Sequence, residues 1–218
     1  MSASTTKARL ARLLSLIGLA AGVLVVVALA AQIADQVSRD SFAPERYFSY
    51  FSIQTSIANA VFLIASGFSG LRGSPKSVRT AGIRACLVAY AVMTGVVYEL
   101  LLRGGVEQLD GSQRLLDWPI DATHVWVPIY FVLDWMIRRD RPRLSLTIAA
   151  WGAVYPAAWF VLSLGRGTLT GWYPYDFMDP NLPGGYPAIA VAAAAIGGLY
   201  LVSMLVVLGI NRLHHRSS

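Results

Sequence analysis

Lysine is almost missing: Lys7 and Lys76 are the only two in 218 residues. Both fall in segments that the charge pattern assigns to the cytoplasmic side, so a helix bundle has no amine for a retinal Schiff base. Cysteine is down to Cys86, which excludes an intramolecular disulfide and reads as a small apolar residue. Of three histidines, His214 and His215 belong to the C-terminal tail. His124 alone lies in an apolar segment, too few for bis-histidine haem ligation. No stretch reads convincingly as a strand, so no glycine-rich phosphate loop can follow one. Charge is scarce as well, at 14% of residues against about 25% in soluble domains.

What fills the chain instead is apolar surface, 56% of residues, in blocks long enough to cross a ~30 Å hydrocarbon core. Six blocks are read, at 10–32, 47–70, 79–102, 120–137, 145–165 and 187–210. Short connections join them, and no repeat or low-complexity linker intervenes. The expectation is an all-α integral membrane protein, a single domain over 1–218, folded as a six-transmembrane-helix bundle. With the N-terminus inside, thirteen of the eighteen basic residues fall on the cytoplasmic side, as the positive-inside rule requires. Both termini are then cytoplasmic. The net charge of +6 follows from membrane orientation and calls for no nucleic acid. A competing reading takes the first block, with Ala28–Ala30 as a cleavage site, for a signal peptide. That run is longer than most signal cores.

Ten of the twelve acidic residues lie toward the outer face, and only Asp134 and Asp140 toward the cytoplasm. On the second block, Ser49, Ser52, Thr55, Ser56 and Asn59 recur at three- and four-residue spacing and form one polar stripe. Counting inward from the outer face, Ser52 is roughly 7 Å deep at the helical rise of 1.5 Å per residue. His124 enters from the same side to a similar depth, with Asp121 three residues before it on the same face. Tyr98 and Glu99 reach that layer from the end of the third block. Polar groups are costly in lipid and face a bundle interior or a cavity.

This layer has the parts of a nucleophile and its base. A hydroxyl attacks an ester only when a neighbour takes its proton, and imidazole does so near neutral pH. Ser52, with Thr55 as the rival nucleophile, would attack the carbonyl, and His124 would carry the proton to the leaving alcohol. Asp121 or Glu99 would orient the ring. Asn59, Gln54, Tyr98 or backbone amides would face the oxyanion. The bland counterpart is that Ser, Thr and Asn act as interhelical glue, at about 0.6 kcal/mol per contact. Metal binding is the weaker alternative, since Glu99, Asp121 and His124 would have to converge from two helices and zinc enzymes use three protein ligands. No metal or cofactor is therefore assigned.

The last outer loop, "LGRGTLTGWYPYDFMDPNLPGGYP", is rich in proline and aromatic residues. Trp172, Tyr173 and Tyr175 suit an interfacial aromatic belt or a lid over the polar layer. Arg166 is available there to an anionic headgroup or carboxylate.

Three segments, "YFSYFSIQTSIANAV", "THVWVPIYFVLDWM" and "LTGWYPYDFMDP", together resemble a bacterial branch of the androgen-induced-gene family of six-helix membrane proteins. The resemblance covers nearly the whole chain, in order and spacing. It implies a hydrolase of fatty acid esters of hydroxy fatty acids, with the family's nucleophilic threonine on Ser52 and its histidine on His124. An acidic residue follows ten positions later, at Asp134. Two departures are a serine in place of the threonine, and a proline four positions after the histidine, at Pro128, instead of five. The implied partners are a lipid substrate and the bilayer, in a bacterial cytoplasmic membrane with the polar site outward. The alternative is a non-enzymatic transporter or lipid-binding protein using the same layer.

Overall fold

Lipid cannot hydrogen-bond a bare backbone, so a chain this apolar must close its amides internally. Among the described residues it does so with helices. The structure, a computed structural model, describes residues 3–74, 77–103, 117–139 and 141–216, and no strand occurs among them. Lys76, Glu107, Asp110, Arg114 and Asp140, assigned sides of the membrane by sequence, lie outside the described residues.

In order, α1 (Ala3–Ser38) leads through the short α2 (Pro44–Tyr47) to α3 (Phe51–Leu71) and α4 (Val78–Val97). A π turn, Tyr98–Leu102, extends α4. After it come α5 (Trp118–Asp121), a second π turn (Ala122–Trp126) and α6 (Val127–Ile137). Then follow α7 (Thr147–Thr170), a 3-10 turn at Asp176–Met178 and α8 (Gly185–Arg216). Five of these helices are long and apolar enough to cross a membrane. The chain is an all-α, multi-pass membrane protein.

The 120–137 block differs from its expected form. It is helical, but in pieces of four, five and eleven residues. Pro128 has no N–H to give the carbonyl four residues back, that of His124. The chain widens locally, and the Val127 N–H reaches the Ala122 carbonyl five residues away. Proline acts again in α7, where Pro156 leaves the Gly152 carbonyl without a helical donor. The Tyr90 hydroxyl donates to it at 2.5 Å.

Packing accounts for the small residues of α1. A Cβ on Gly22 would lie 2.9 Å from Ile64 Cγ1 and 3.1 Å from the Ile64 nitrogen, so α1 and α3 meet backbone to backbone there. Gly18 faces the Tyr130 hydroxyl. This glycine pair therefore serves packing within the chain. Leu63, Phe131, Trp135 and Met204 fill the centre and are almost fully buried. Outward, Leu100, Trp151 and Val191 are each more than two-thirds exposed, a surface suited to acyl chains.

Near the C-terminal end of α6, Asp134 accepts from Arg84, from Arg138 Nε at 2.7 Å and from the Tyr130 hydroxyl at 3.3 Å. Arg84 also donates to Ser66. This buried cluster ties α3, α4 and α6 together. Beside it Arg141 stacks on Trp135, 3.6 Å from the ring centre, and burial pulls its guanidinium down to about 10.

Candidate active site

Ser52 is the second residue of α3, whose N-cap, Tyr50, offers no side-chain acceptor to the first orphan amides. A distant residue fills the gap. The Ser52 N–H donates to the Tyr175 hydroxyl, 3.4 Å away across the bundle. The Ser52 side chain and the Phe51 N–H lie close enough to that phenol to favour its ionised form slightly. Burial pushes the phenol up to about 12, so it stays protonated through neutral pH. The helix N-terminus adds its partial positive charge at the same point, which favours an anion on Ser52 Oγ.

His124 sits in the second π turn, a placement that follows from Pro128 and is frequent at functional sites. Its Nδ1 lies 3.0 Å from the Ile120 carbonyl and 3.0 Å from Thr123 Oγ1. A carbonyl only accepts, so Nδ1 carries the proton in the neutral ring. Thr123 Oγ1 in turn donates to the Pro119 or Ile120 carbonyl at 3.1 Å. Nε2 is then the basic nitrogen. The Tyr98 ring packs over the imidazole with centroids 4.6 Å apart. Behind it, a Cβ on Gly95 would lie 3.0 Å from the His124 carbonyl, so any larger residue would have to push α4 or the π turn back by a few tenths of an ångström.

Ser52 and His124 line the same two cavities. One, of about 410 Å³, is walled by apolar residues such as Met93, Val97, Phe160, Phe177 and Ile196, drawn from α4, α7, α8 and the loop between α7 and α8. Among the described residues, none with a charged Asp, Glu, Lys or Arg side chain lines it. The other, of about 260 Å³, has Gln32, Asp35, Gln36, Arg39 and Arg46 in its wall. Four residues belong to both linings: Ser52, Leu102, His124 and Tyr175. The candidate pair thus stands where an apolar cavity meets a polar one.

The other residues singled out by sequence are sorted by their contacts. Thr55 Oγ1 donates to its own helix, to the Phe51 carbonyl at 2.9 Å or that of Ser52 at 3.1 Å, and lines neither cavity. Asn59 is buried with an unpartnered Oδ1, also outside both linings. Gln54 is turned elsewhere: its amide donates to the Phe48 carbonyl at 2.9 Å and accepts from the Tyr155 hydroxyl at 2.9 Å. Glu99 and Asp121 take Arg103 as partner, at 2.8 and 3.5 Å. His124 Nδ1 meets the Ile120 carbonyl and Thr123 Oγ1. Among the described residues, no three His, Cys, Asp or Glu side chains converge as a metal site.

The aromatic loop is folded into the bundle more deeply than a belt requires. Tyr175 stacks on Phe177, centroids 5.0 Å apart, and meets Trp159 and Tyr50. Tyr173 lies against Gly167, and Trp172 lines the polar cavity. Arg166 donates to Ser49 Oγ and packs 5.0 Å from the Trp172 ring centre, away from the Ser52–His124 junction. Sequence reasoning missed Thr123, the Ile120 carbonyl and Thr94, whose buried hydroxyl has no partner and lines the apolar cavity. Pro128 was the available signal for the first two.

No protein-family model, curated protein or solved structure matches the chain.

Proposed function

We propose that the protein is a membrane-embedded hydrolase of lipid esters, with Ser52 as nucleophile and His124 as general base. The observation that carries this reading is the shared position of Ser52 and His124 at the junction of the two cavities. The resemblance of the three sequence segments to the androgen-induced-gene family points the same way. In this reading six spans place both termini in the cytoplasm of a bacterial cell, and the Ser52–His124 end faces outward.

The chemistry follows from the groups present. An acyl chain enters the apolar cavity from the bilayer, and the ester carbonyl stops beside Ser52. Ser52 Oγ bonds to the carbonyl carbon as its proton passes to His124 Nε2. The Tyr175 O–H and the first amides of α3 face the oxygen that becomes negative. The carbon–oxygen bond to the alcohol then breaks, and Nε2 returns the proton to the departing oxygen. Water entering by the polar cavity attacks the acyl-enzyme by the same proton route. Fatty acid leaves and Ser52 is restored. The Ile120 carbonyl does the orienting that a carboxylate does in a catalytic triad.

The test is hydrolysis of long-chain fatty acid esters by the detergent-purified chain, compared with Ser52→Ala, Thr55→Ala and His124→Ala. Activity kept only in Thr55→Ala supports the assignment. Equal activity in all four proteins, or none in folded wild type, refutes it, and the second result turns attention to lipid binding or transport.

A further inference from the structure

The two cavities have opposite chemistry, and this constrains the two halves of the ester. We propose, resting on the hydrolase reading, that the polar cavity receives the alcohol half of the substrate and that this half is a small polyol. The substrates are then single-chain acyl esters of a glycerol-type alcohol.

The argument starts at Asp35, near the end of α1. Its Oδ2 pairs with Arg39 at 2.5 Å. Its Oδ1 is buried without a hydrogen-bond partner, on a side chain only 9% exposed. A carboxylate oxygen only accepts, so it calls for an O–H or N–H donor. Asp35 lines the same cavity as Ser52 and His124, so a ligand hydroxyl becomes that donor once the carboxylate turns its buried oxygen toward the cavity. The neighbouring Gln32 is already committed: it donates to the Pro119 carbonyl at 3.1 Å and accepts from Tyr47 at 3.3 Å.

A long alkyl group in that space would strip Asp35, Arg39 and Gln36 of water and return no hydrogen bond. A wax ester, or an ester of a mid-chain hydroxy fatty acid, carries apolar chain on both sides of its ester oxygen and meets that penalty. A glycerol-type alcohol leaves hydroxyls for Asp35 and fits about 260 Å³. The acyl half then occupies the larger apolar cavity alone. Arg46, packed 5.7 Å from the Trp172 ring centre in the polar wall, adds a cation suited to a phosphate on the polyol.

The experiment uses the full chain in detergent with four esters of one acyl chain: 1-oleoylglycerol, 1-oleoylglycerol 3-phosphate, an oleoyl ester of hydroxystearic acid, and oleyl oleate. The expected result is kcat/KM at least about tenfold higher for one or both glycerol esters, the scale of one charged hydrogen bond. Asp35→Ala should then raise KM for 1-oleoylglycerol more than for methyl oleate. A larger effect of Arg46→Gln on the phosphorylated ester identifies that form as the source, and equal effects identify the neutral form. Preference for the hydroxystearate or wax ester, in protein that takes a fluorophosphonate label on Ser52, overturns the polyol assignment and leaves the hydrolase standing. No label and no cleaved ester means that the hydrolase reading has failed, and this inference with it.

Discussion

Tyr175→Phe removes one oxygen atom and leaves the rest of the loop intact. The ring would keep its contacts with Phe177, Trp159 and Tyr50. What is lost is the hydroxyl that accepts from the Ser52 N–H at 3.4 Å and, in the proposed mechanism, donates to the oxyanion. A hydroxyl that only caps α3 would cost about 0.5–2 kcal/mol of stability when removed, with little effect on the chemical step. An oxyanion donor costs about 2.7–4 kcal/mol in the transition state, a fall in kcat of about 10²–10³. The two roles separate in one pair of assays, ester hydrolysis at saturating substrate and thermal unfolding in the same detergent. The mechanism requires the large fall in kcat, with KM little changed. A shift in Tm with kcat within about threefold of wild type would refute the oxyanion role. The phenol also gives a pH signature, because its pKa lies above the unfolded value of 10.0, at about 12. The folded state then holds the proton more tightly, so this contribution is full below pH 10 and is lost as pH rises through about 12. Tyr175→Phe should remove that part of the alkaline loss of stability.

Thr55→Val deletes a hydroxyl bonded to its own helix, and is expected to keep hydrolysis near wild type at a stability cost of about 0.6 kcal/mol. A dead but folded Thr55→Val would move the nucleophile one turn along α3. Gly95→Ala places a Cβ 3.0 Å from the His124 carbonyl and 3.4 Å from Pro128 Cβ, so α4 must give way. The expected result is a kcat lowered about tenfold by a displaced imidazole, read by steady-state kinetics alongside Tm. Arg84→Met strips Asp134 of one of its two arginines in a site where the carboxylate is 1% exposed. The expected loss is about 3 kcal/mol, measured as Tm or as the denaturant midpoint in detergent. An unchanged Tm would show that Arg138 and Tyr130 satisfy Asp134 alone.

The helical spans were legible because hydrophobic blocks near twenty residues long leave a membrane chain little choice. Their ends were less so: α7 runs on to Thr170, where Gly171 at φ 69° supplies the left-handed residue that stops it. The interruption of the 120–137 block could have been anticipated from Pro128, which leaves the His124 carbonyl without its helical donor. Within the site, helical periodicity brought Ser52 to the right depth, yet it gave the same standing to Thr55, Asn59 and Gln54. Rotation about the helix axis separates them, and that is fixed by α1, Tyr155 and Tyr175, all outside the segment that carries the stripe. The Ile120 carbonyl beside His124 Nδ1 was not legible, because a sequence shows side chains and conceals a backbone carbonyl. The opposed chemistry of the two cavities was out of reach for the same reason, since each wall is gathered from several helices.

The most direct test of the central claim is covalent labelling of the folded, detergent-purified chain with a long-chain fluorophosphonate, followed by peptide mapping of the adduct. The mechanism predicts one adduct, on Ser52, slowed at least about 10²-fold in His124→Ala, where the hydroxyl has lost its base. Folded wild-type protein that takes no label, or an adduct on Thr55 that forms equally well without His124, would contradict it.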